Sequence, residues 1–373
     1  MLRRRLVAIP ALLLATACGG GGGSPTGPTQ PTGASVNVLV WYDQNASAVL
    51  EDNETTRLAS VVVEAGGVTA TSARTTGRAT LASVAPGMQT FKARGDSLPP
   101  YFEAREVQAN VPVSGDLFLP VGLPIGANRP AVYLALGDSI TFGDGASAGR
   151  DWVTRLELAL RAEWVQGEVI NSGIEGNKSD QLAARIGPEM AGDRPACVLI
   201  LIGTNDWNKC KDVDACFTQD SVRAALREAL QARSLPFLST IIPANPDDPE
   251  RNPPQRNEWV EAMNQRLKAI AAQEGAVVVD SHAAFMRASG SDLGRLFADH
   301  VHPNDRGHQL IADEFLRVLT SPRSATASAS TLDLKWLLAN PPGGLALGLP
   351  DDGASVSTPL RRPPSLFARP LGR

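Results

Sequence analysis

The amino-acid sequence predicts a doubly wound α/β domain built on a parallel sheet, preceded by a small all-β module. Two patterns carry that expectation. From residue 131 onward, short apolar runs (AVYLAL, EVI, CVLILI, FLSTII, AVVV) alternate with amphipathic helical segments, as in a parallel sheet covered on both faces. Between residues 36 and 122, apolar alternations are broken by Gly, Pro, Asn and Asp and show no helical period, which marks an all-β region.

The helices of the second region follow from spacing. Val222, Ala225, Leu226, Ala229 and Leu230 recur at i, i+3, i+4, i+7 and i+8. Ile311, Phe315, Val318 and Leu319 form a second stripe, Trp259, Met263, Leu267 and Ile270 a third, and Val153, Leu156, Leu160 and Trp164 a fourth. Such stripes are core faces. The resulting unit, residues 128–321, has the size of one α/β domain.

In the all-β region, VVVEAGGVTATS reads as a hairpin across Ala65-Gly66-Gly67, and GRATLASVAPGMQTFK as two strands around Pro86-Gly87. The run TTGRATLASVAPGMQTF, within residues 34–123, resembles prealbumin-like repeats found beside secreted bacterial enzymes, which implies a small β-sandwich acting as a spacer or stabilising module. Trp41, Tyr42, Tyr101 and Phe102 are as readily core residues as ligand contacts.

The chain ends account for much of the 34 Gly and 28 Pro in 373 residues. Three Arg at 3–5, an apolar stretch and Ala15-Thr16-Ala17-Cys18 follow the order of a secretory signal, residues 1–17. The Cys before five glycines resembles a bacterial lipobox, which implies acylation of Cys18 and a place in the cell envelope; plain cleavage with release is the alternative. Residues 18–33 then form a tether, flexible in its Gly part and stiffer in its Pro/Thr part. Residues 322–373, rich in Ser, Ala, Pro and Gly, read as a mostly disordered tail.

With 35 basic and 39 acidic residues and no long Lys/Arg run, nucleic acid is an unlikely partner by charge. Loss of residues 1–17 removes three Arg, so a membrane role would rest on acyl chains rather than basic attraction. Beside Cys18 there are Cys197, Cys210 and Cys216. Cys210 and Cys216 flank KDVDA closely enough to form a small disulfide ring in an oxidising compartment, and Cys197, opening an apolar run, reads as a buried core thiol.

Ligands of open α/β sheets bind at the carboxyl ends of the strands. After AVYLAL stands Gly137-Asp138-Ser139, after EVI a Gly-rich turn containing Gly176, and after CVLILI Gly203-Thr204-Asn205-Asp206. Ahead of the last helix lies Asp299-His300-Val301-His302-Pro303. A serine hydrolase needs a nucleophile, a base, a group orienting the base and donors for the oxyanion. Ser139 alone also fits a helix cap, and Gly176 and Asn205 fit turn chemistry. The base must come from His282, His300, His302 and His308. Of these only His302 has both an Asp three residues before it, able to fix its tautomer, and a following Pro that keeps it out of the helix.

Gly137-Asp138-Ser139, Gly176, Asn205 in GTND and the D-x-x-H at 299–302 resemble, in order and spacing, the four blocks of the SGNH (GDSL) hydrolases. The resemblance covers about 190 residues. It implies a flavodoxin-like three-layer α/β/α sandwich, Ser139 as nucleophile, His302 as base and Asp299 as its partner. It also implies an oxyanion hole of the Ser139 and Gly176 N–H groups and the Asn205 amide, with no cofactor and no metal. Asp138 and Asp206 are expected to hold their loops by local hydrogen bonds. Thr141 stands where G-x-S-x-G requires its last Gly, so the α/β-hydrolase elbow is not the model.

A metal-dependent hydrolase built on Asp299, His300, His302 and His308 would leave Ser139, Gly176 and Asn205 without a shared purpose. His300 and His308 are read instead as surface or helix-start residues, and His282 as a loop residue. A non-catalytic surface binder would be expected to have lost one of these groups. The expected activity is carboxylic-ester hydrolysis through an acyl-Ser139 intermediate, with lysophospholipase or thioesterase chemistry as the alternative. Residues 143–150, 206–217 and 243–257 are the expected substrate loops; none is greasy, which favours short acyl groups such as acetyl.

Overall fold

The computed structural model describes residues 33–325. The signal, Cys18, most of the tether and the tail beyond residue 325 lie outside the described residues. Among the described residues, no helix is long and apolar enough to cross a membrane.

Residues 34–122 form two four-stranded sheets. In chain order the strands are β1 (Ala34–Tyr42), β2 (Val62–Ala65), β3 (Val68–Thr71), β4 (Arg78–Val84), β5 (Gly87–Ala93), β6 (Glu103–Ala104), β7 (Val107–Val111) and β8 (Asp116–Gly122). One sheet has the order β4-β1-β8-β6 and the other β3-β2-β5-β7. All pairings are antiparallel except β1 with β8. The Gly66-Gly67 turn closes the β2–β3 hairpin as the sequence suggests. The Pro86 turn acts differently from a hairpin: β4 pairs with β1 while β5 pairs with β2 and β7, so the turn carries the chain from one sheet to the other. Trp41, Tyr42, Tyr101 and Phe102 are all buried.

The second region alternates strands and helices: β9 (Arg129–Gly137), α1 (Ser139–Phe142), α2 (Trp152–Trp164), β10 (Glu168–Gly173), α3 (Ser179–Asp193), β11 (Pro195–Leu201), α4 (Thr218–Gln231), β12 (Leu235–Ser239), α5 (Pro254–Glu274), β13 (Val277–Val279), α6 (Ser281–Ser289) and α7 (Asp305–Thr320). The five strands are all parallel in the order β10-β9-β11-β12-β13, the flavodoxin-like arrangement expected. Alternate strand residues feed the two layers. Leu134, Leu136, Val198 and Ile200 pack with Leu182, Leu226 and Met263 of α3, α4 and α5. Tyr133, Ala135 and Leu199 pack with Leu156 and Phe315 of α2 and α7. This second layer is continuous with the interior of the β region.

The β region meets the α/β region at the starts of the strands. The Tyr101 hydroxyl lies 2.8 Å from Pro236 O and 3.0 Å from Gly275 O and accepts the Val277 N–H at 3.2 Å, at the heads of β12 and β13. Thr56 Oγ1 donates to Trp164 O at 2.6 Å just ahead of β10. The opposite edge of the sheet, where β9, β10 and β11 end, stays clear of these contacts. The reversal of strand order between β9 and β11 opens the switch-point crevice on that edge.

Candidate active site

Ser139 is the first residue of α1, a single turn directly after β9. The helix cap is Asp138, whose side chain accepts the Ile140 N–H at 2.9 Å. Ser139 is thus free of capping, and its Oγ lies 2.9 Å from His302 Nε2. His302 Nδ1 lies 2.7 Å from Asp299 Oδ2. An ionised carboxylate only accepts, so Nδ1 carries the hydrogen and Nε2 is left to accept from the serine hydroxyl.

Asp299 is itself fixed. Its Oδ1 accepts the N–H groups of Val301 and His302, each at 2.8 Å. Burial acts to raise its pKa, but the Val301 N–H, the His302 side chain and the His302 N–H outweigh it and bring the carboxyl down to about 2. Asp138 is the reverse case: burial pushes its carboxyl up to about 7 even though the Ile140 N–H and His302 pull it down.

Gly176 stands at φ +70° in the turn after β10, a left-handed conformation that favours glycine. The N–H groups of Ser139 and Gly176 donate to no other group among the described residues. Asn205, after β11, gives one amide hydrogen to Asn177 O at 3.1 Å and keeps the other. Asp206 acts over a longer range than a local loop bond: Oδ1 accepts the Ser179 N–H at the start of α3 and Oδ2 the Thr218 hydroxyl at the start of α4. Burial raises its pKa. Cys210 and Cys216 are joined as a disulfide in the segment that follows, and Cys197 is buried with its thiol pushed up by burial.

Of the remaining histidines, His308 sits at a helix start as expected but buried rather than on the surface, and His282 lies in a helix rather than a loop. His308 is fully buried: Nδ1 accepts the Trp152 N–H at 3.2 Å, an otherwise unpaired donor at the start of α2, and Nε2 donates to Asp144 O at 3.0 Å. Helical spacing places it on the buried side of α7, but its polar partners come from a loop some 160 residues away, which no local pattern reveals. His300 is half-buried; its Nδ1 makes no hydrogen bond and lies 3.7 Å from Asp299 Oδ1. His282 lies within α6. With both ring nitrogens of His302 and His308 bonded inside the protein, Asp299, His300, His302 and His308 do not converge on a common point.

Two arginines that sequence reasoning missed, Arg256 buried and Arg185 largely so, tie these loops together. Arg185 of α3 donates to Gly137 O and Ser172 O, each at 2.9 Å, to Ser172 Oγ at 3.0 Å and to Asn177 Oδ1 at 3.0 Å, while pairing with Glu189 at 2.6 Å. Arg256 of α5 donates to Thr204 O at 3.2 Å and Asn252 Oδ1 at 2.7 Å, and the Asn252 amide reaches His300 O. The only sequence signal for either is the i, i+4 spacing of Arg185 and Glu189, which reads as a surface pair. Residues 245–256 are therefore in part a support for the His302 loop rather than a free substrate loop.

A serine hydroxyl bonded to a tautomer-fixed imidazole, beside unused N–H donors at the switch point of a parallel sheet, is an arrangement suited to acyl-transfer hydrolysis. Comparison with known proteins agrees. Residues 135–310 match the GDSL-like Lipase/Acylhydrolase family. The acetylxylan esterase of Geobacillus stearothermophilus is 30% identical over 217 residues, covering 52% of this chain and 95% of that protein. Esterase TesA of Pseudomonas aeruginosa is 28% identical over 170 residues, covering 46% of this chain and 78% of its own. A crystal structure of the Geobacillus esterase aligns with a TM-score of 0.43 at 26% identity, over 52% of this chain and 95% of that one. The chain belongs to the GDSL-like lipase/acylhydrolase family.

His308 generates a pH test. Burial lowers its pKa below the ordinary 6.5. The folded protein therefore keeps it neutral where the unfolded chain takes up a proton, and stability present above about 6.5 is lost as pH falls toward the lower folded value. Asp138, raised instead, contributes in the opposite sense between its ordinary value and about 7, so wild type must be compared with a variant. His308→Asn retains an acceptor for Trp152 N–H. It should be less stable than wild type at pH 8 by about 1–2 kcal/mol, with a gap that narrows by pH 5.5 in urea unfolding. A constant gap would show that His308 protonation does not contribute.

Proposed function

We propose that this chain is a serine esterase in which Ser139 is the nucleophile, His302 the base and Asp299 the group that orients it. The observation that carries this is the continuous Ser139–His302–Asp299 hydrogen-bond relay. Ser139 Oγ attacks the ester carbonyl as its proton passes to His302 Nε2, and the imidazolium is stabilised by Asp299. The tetrahedral oxyanion is received by the Ser139 and Gly176 N–H groups and the second amide hydrogen of Asn205. His302 returns the proton to the departing alcohol, and water then releases the acyl group by the reverse sequence.

The acyl group is a short one such as acetyl. The polar, Pro-rich residues 243–257 and the absence of a greasy lid support this, as does kinship with a protein named acetylxylan esterase. The β region is a sandwich serving as spacer and stabiliser, a role supported by its contacts at the far edge of the sheet. The mature chain begins at an acylated Cys18 and is tethered by lipid in the cell envelope, as the signal-like residues 1–17 and the glycines after Cys18 suggest.

Ser139→Ala should fold as wild type, lose labelling by a serine-directed phosphonate and fall to background with p-nitrophenyl acetate; near wild-type turnover would sink the mechanism. Asn205→Ala should lower kcat about 10²- to 10³-fold, whereas a twofold fall would mean that the oxyanion is held by other donors. Expressed in a bacterium, the full chain should incorporate labelled palmitate and Cys18→Ser should not; equal labelling would exclude acylation at Cys18.

A further inference from the structure

We propose that Asp144 is a specificity residue of this site. Its carboxylate receives a hydroxyl on the carbon next to the ester oxygen of the departing alcohol, so the preferred substrates are monoesters of uncharged vicinal diols, such as monoacetylated sugars. The inference rests on the roles given above to Ser139 and His302.

Asp144 follows α1 and is held from several sides. Its N–H donates to Ser139 O at 3.0 Å, and its carbonyl accepts from His308 at 3.0 Å. The next residue, Gly145, has φ +86° and lies so close beneath the histidine loop that an added Cβ would meet Pro303 O and, at 3.0 Å, His302 Cβ. Ser147 N–H donates to Asp305 at 2.7 Å, at the start of α7. Residues 143–150, expected as a substrate loop, are thus pinned to the Ser139 turn and to α7.

Its carboxylate is nevertheless left without a hydrogen bond. Asp144 Oδ2 stands 3.9 Å from His302 Nε2, beyond hydrogen-bonding distance, with the side chain 32% exposed. Two carboxylates therefore face His302, and they differ in kind. Asp299 bonds Nδ1 and fixes the ring, whereas Asp144 lies beside the nitrogen through which the proton must leave. Partial burial without a hydrogen bond from the protein suits a group whose donor arrives with the substrate.

During acylation the Ser139 Oγ–carbon bond forms, the bond from the carbonyl carbon to the alcohol oxygen breaks, and the proton taken from Ser139 passes from Nε2 to that oxygen. Asp144 gains and loses no proton. The departing oxygen must come within about 2.6–3.2 Å of Nε2. Since Oδ2 is 3.9 Å from the same nitrogen, substituents on the adjacent carbon fall within its reach. An ionised carboxylate accepts but cannot donate, so it takes a hydroxyl there and repels a carboxylate or phosphate.

The test compares kcat/KM of wild type and Asp144→Ala on four esters. These are p-nitrophenyl acetate, a methyl xyloside monoacetate with a free vicinal hydroxyl, the same ester with that hydroxyl O-methylated, and monoacetylglycerol. Relative to p-nitrophenyl acetate, the two diol esters should lose about 10- to 100-fold in the variant, and the O-methylated ester should not. The larger loss identifies sugar or glycerol as the favoured source of the diol. Parallel loss on all esters would overturn the proposal by assigning Asp144 to the His302 ring alone, and unchanged ratios would overturn it outright. Should the alanine variant fail to fold, Asp144→Asn is judged by the same ratios, with a smaller fall in the same direction. Wild-type turnover confined to p-nitrophenyl acetate overturns this inference while leaving the esterase reading intact; inertness to every ester together with no phosphonate labelling overturns both.

Discussion

The guanidinium of Arg185 is the group on which the site's geometry depends, because it bonds carbonyls near the ends of two adjacent strands, Gly137 O on β9, which also accepts the Ile174 N–H, and Ser172 O on β10. A parallel strand that ends under a covering helix leaves carbonyls that water cannot reach, and an unpaired buried carbonyl costs about 1–3 kcal/mol. The rigid fork of an arginine satisfies two at once, and a lysine in its place could not reproduce that geometry. The same side chain bonds Asn177, next to Gly176. One largely buried cation thereby sets the separation of the Ser139 and Gly176 loops, whose N–H groups are the proposed oxyanion donors. Glu189 balances its charge.

The other side of the site repeats the device with different chemistry. Arg256 is only 4% exposed and forms no ion pair among the described residues; its bonds go to neutral oxygens on Thr204 and Asn252. Burial lowers its pKa accordingly. The chain from Thr204 O through Arg256 and Asn252 to His300 O links the residue before Asn205 to the residue after Asp299. Asn245 strengthens the link, donating from its backbone to His300 O and from its amide to Asp299 O, each at 3.0 Å. The proposed oxyanion donor Asn205 and the proposed base His302 are thus spaced by side chains outside the Ser139–His302–Asp299 relay, the kind of support that preorganised catalysis needs.

What the sequence discloses and what it hides divide along the range of the interactions. The period of Val222, Ala225, Leu226 and Leu230, and the alternation behind β9 and β11, are local and survive as α4 and the central strands. Ser139, Gly176, Asn205 and the Asp299/His302 pair could be singled out because strand ends are where chemistry sits and because Asp and His share one short loop. Arg185, Arg256, Asn252 and His308 could not, since each bonds a backbone atom far away in the chain. Composition misleads in residues 243–257: a Pro-rich polar run reads as solvated, yet Asn252 and Arg256 are buried, where they donate to the His300 and Thr204 carbonyls. Arg185 and Glu189 stay hidden for a similar reason, since the i, i+4 spacing of an exposed helical pair is also that of a largely buried one.

The position of the β region follows from the same division of the sheet into a chemical and a structural edge. Tyr101 reaches Pro236, Gly275 and Val277 at the heads of β12 and β13, and Phe102 packs edge-on against Trp164 at the end of α2, 5.9 Å between ring centres. These contacts bury apolar surface and satisfy backbone groups at strand starts, but they leave the edge carrying Ser139 and His302 open. A module seated there can change activity only by altering the sheet on which the catalytic loops stand, since it supplies no wall to the acyl or alcohol sites through these contacts. Discrimination among substrates must therefore come from the α/β region's own rim, where the pinned turn carrying Asp144 faces the nitrogen that releases the proton.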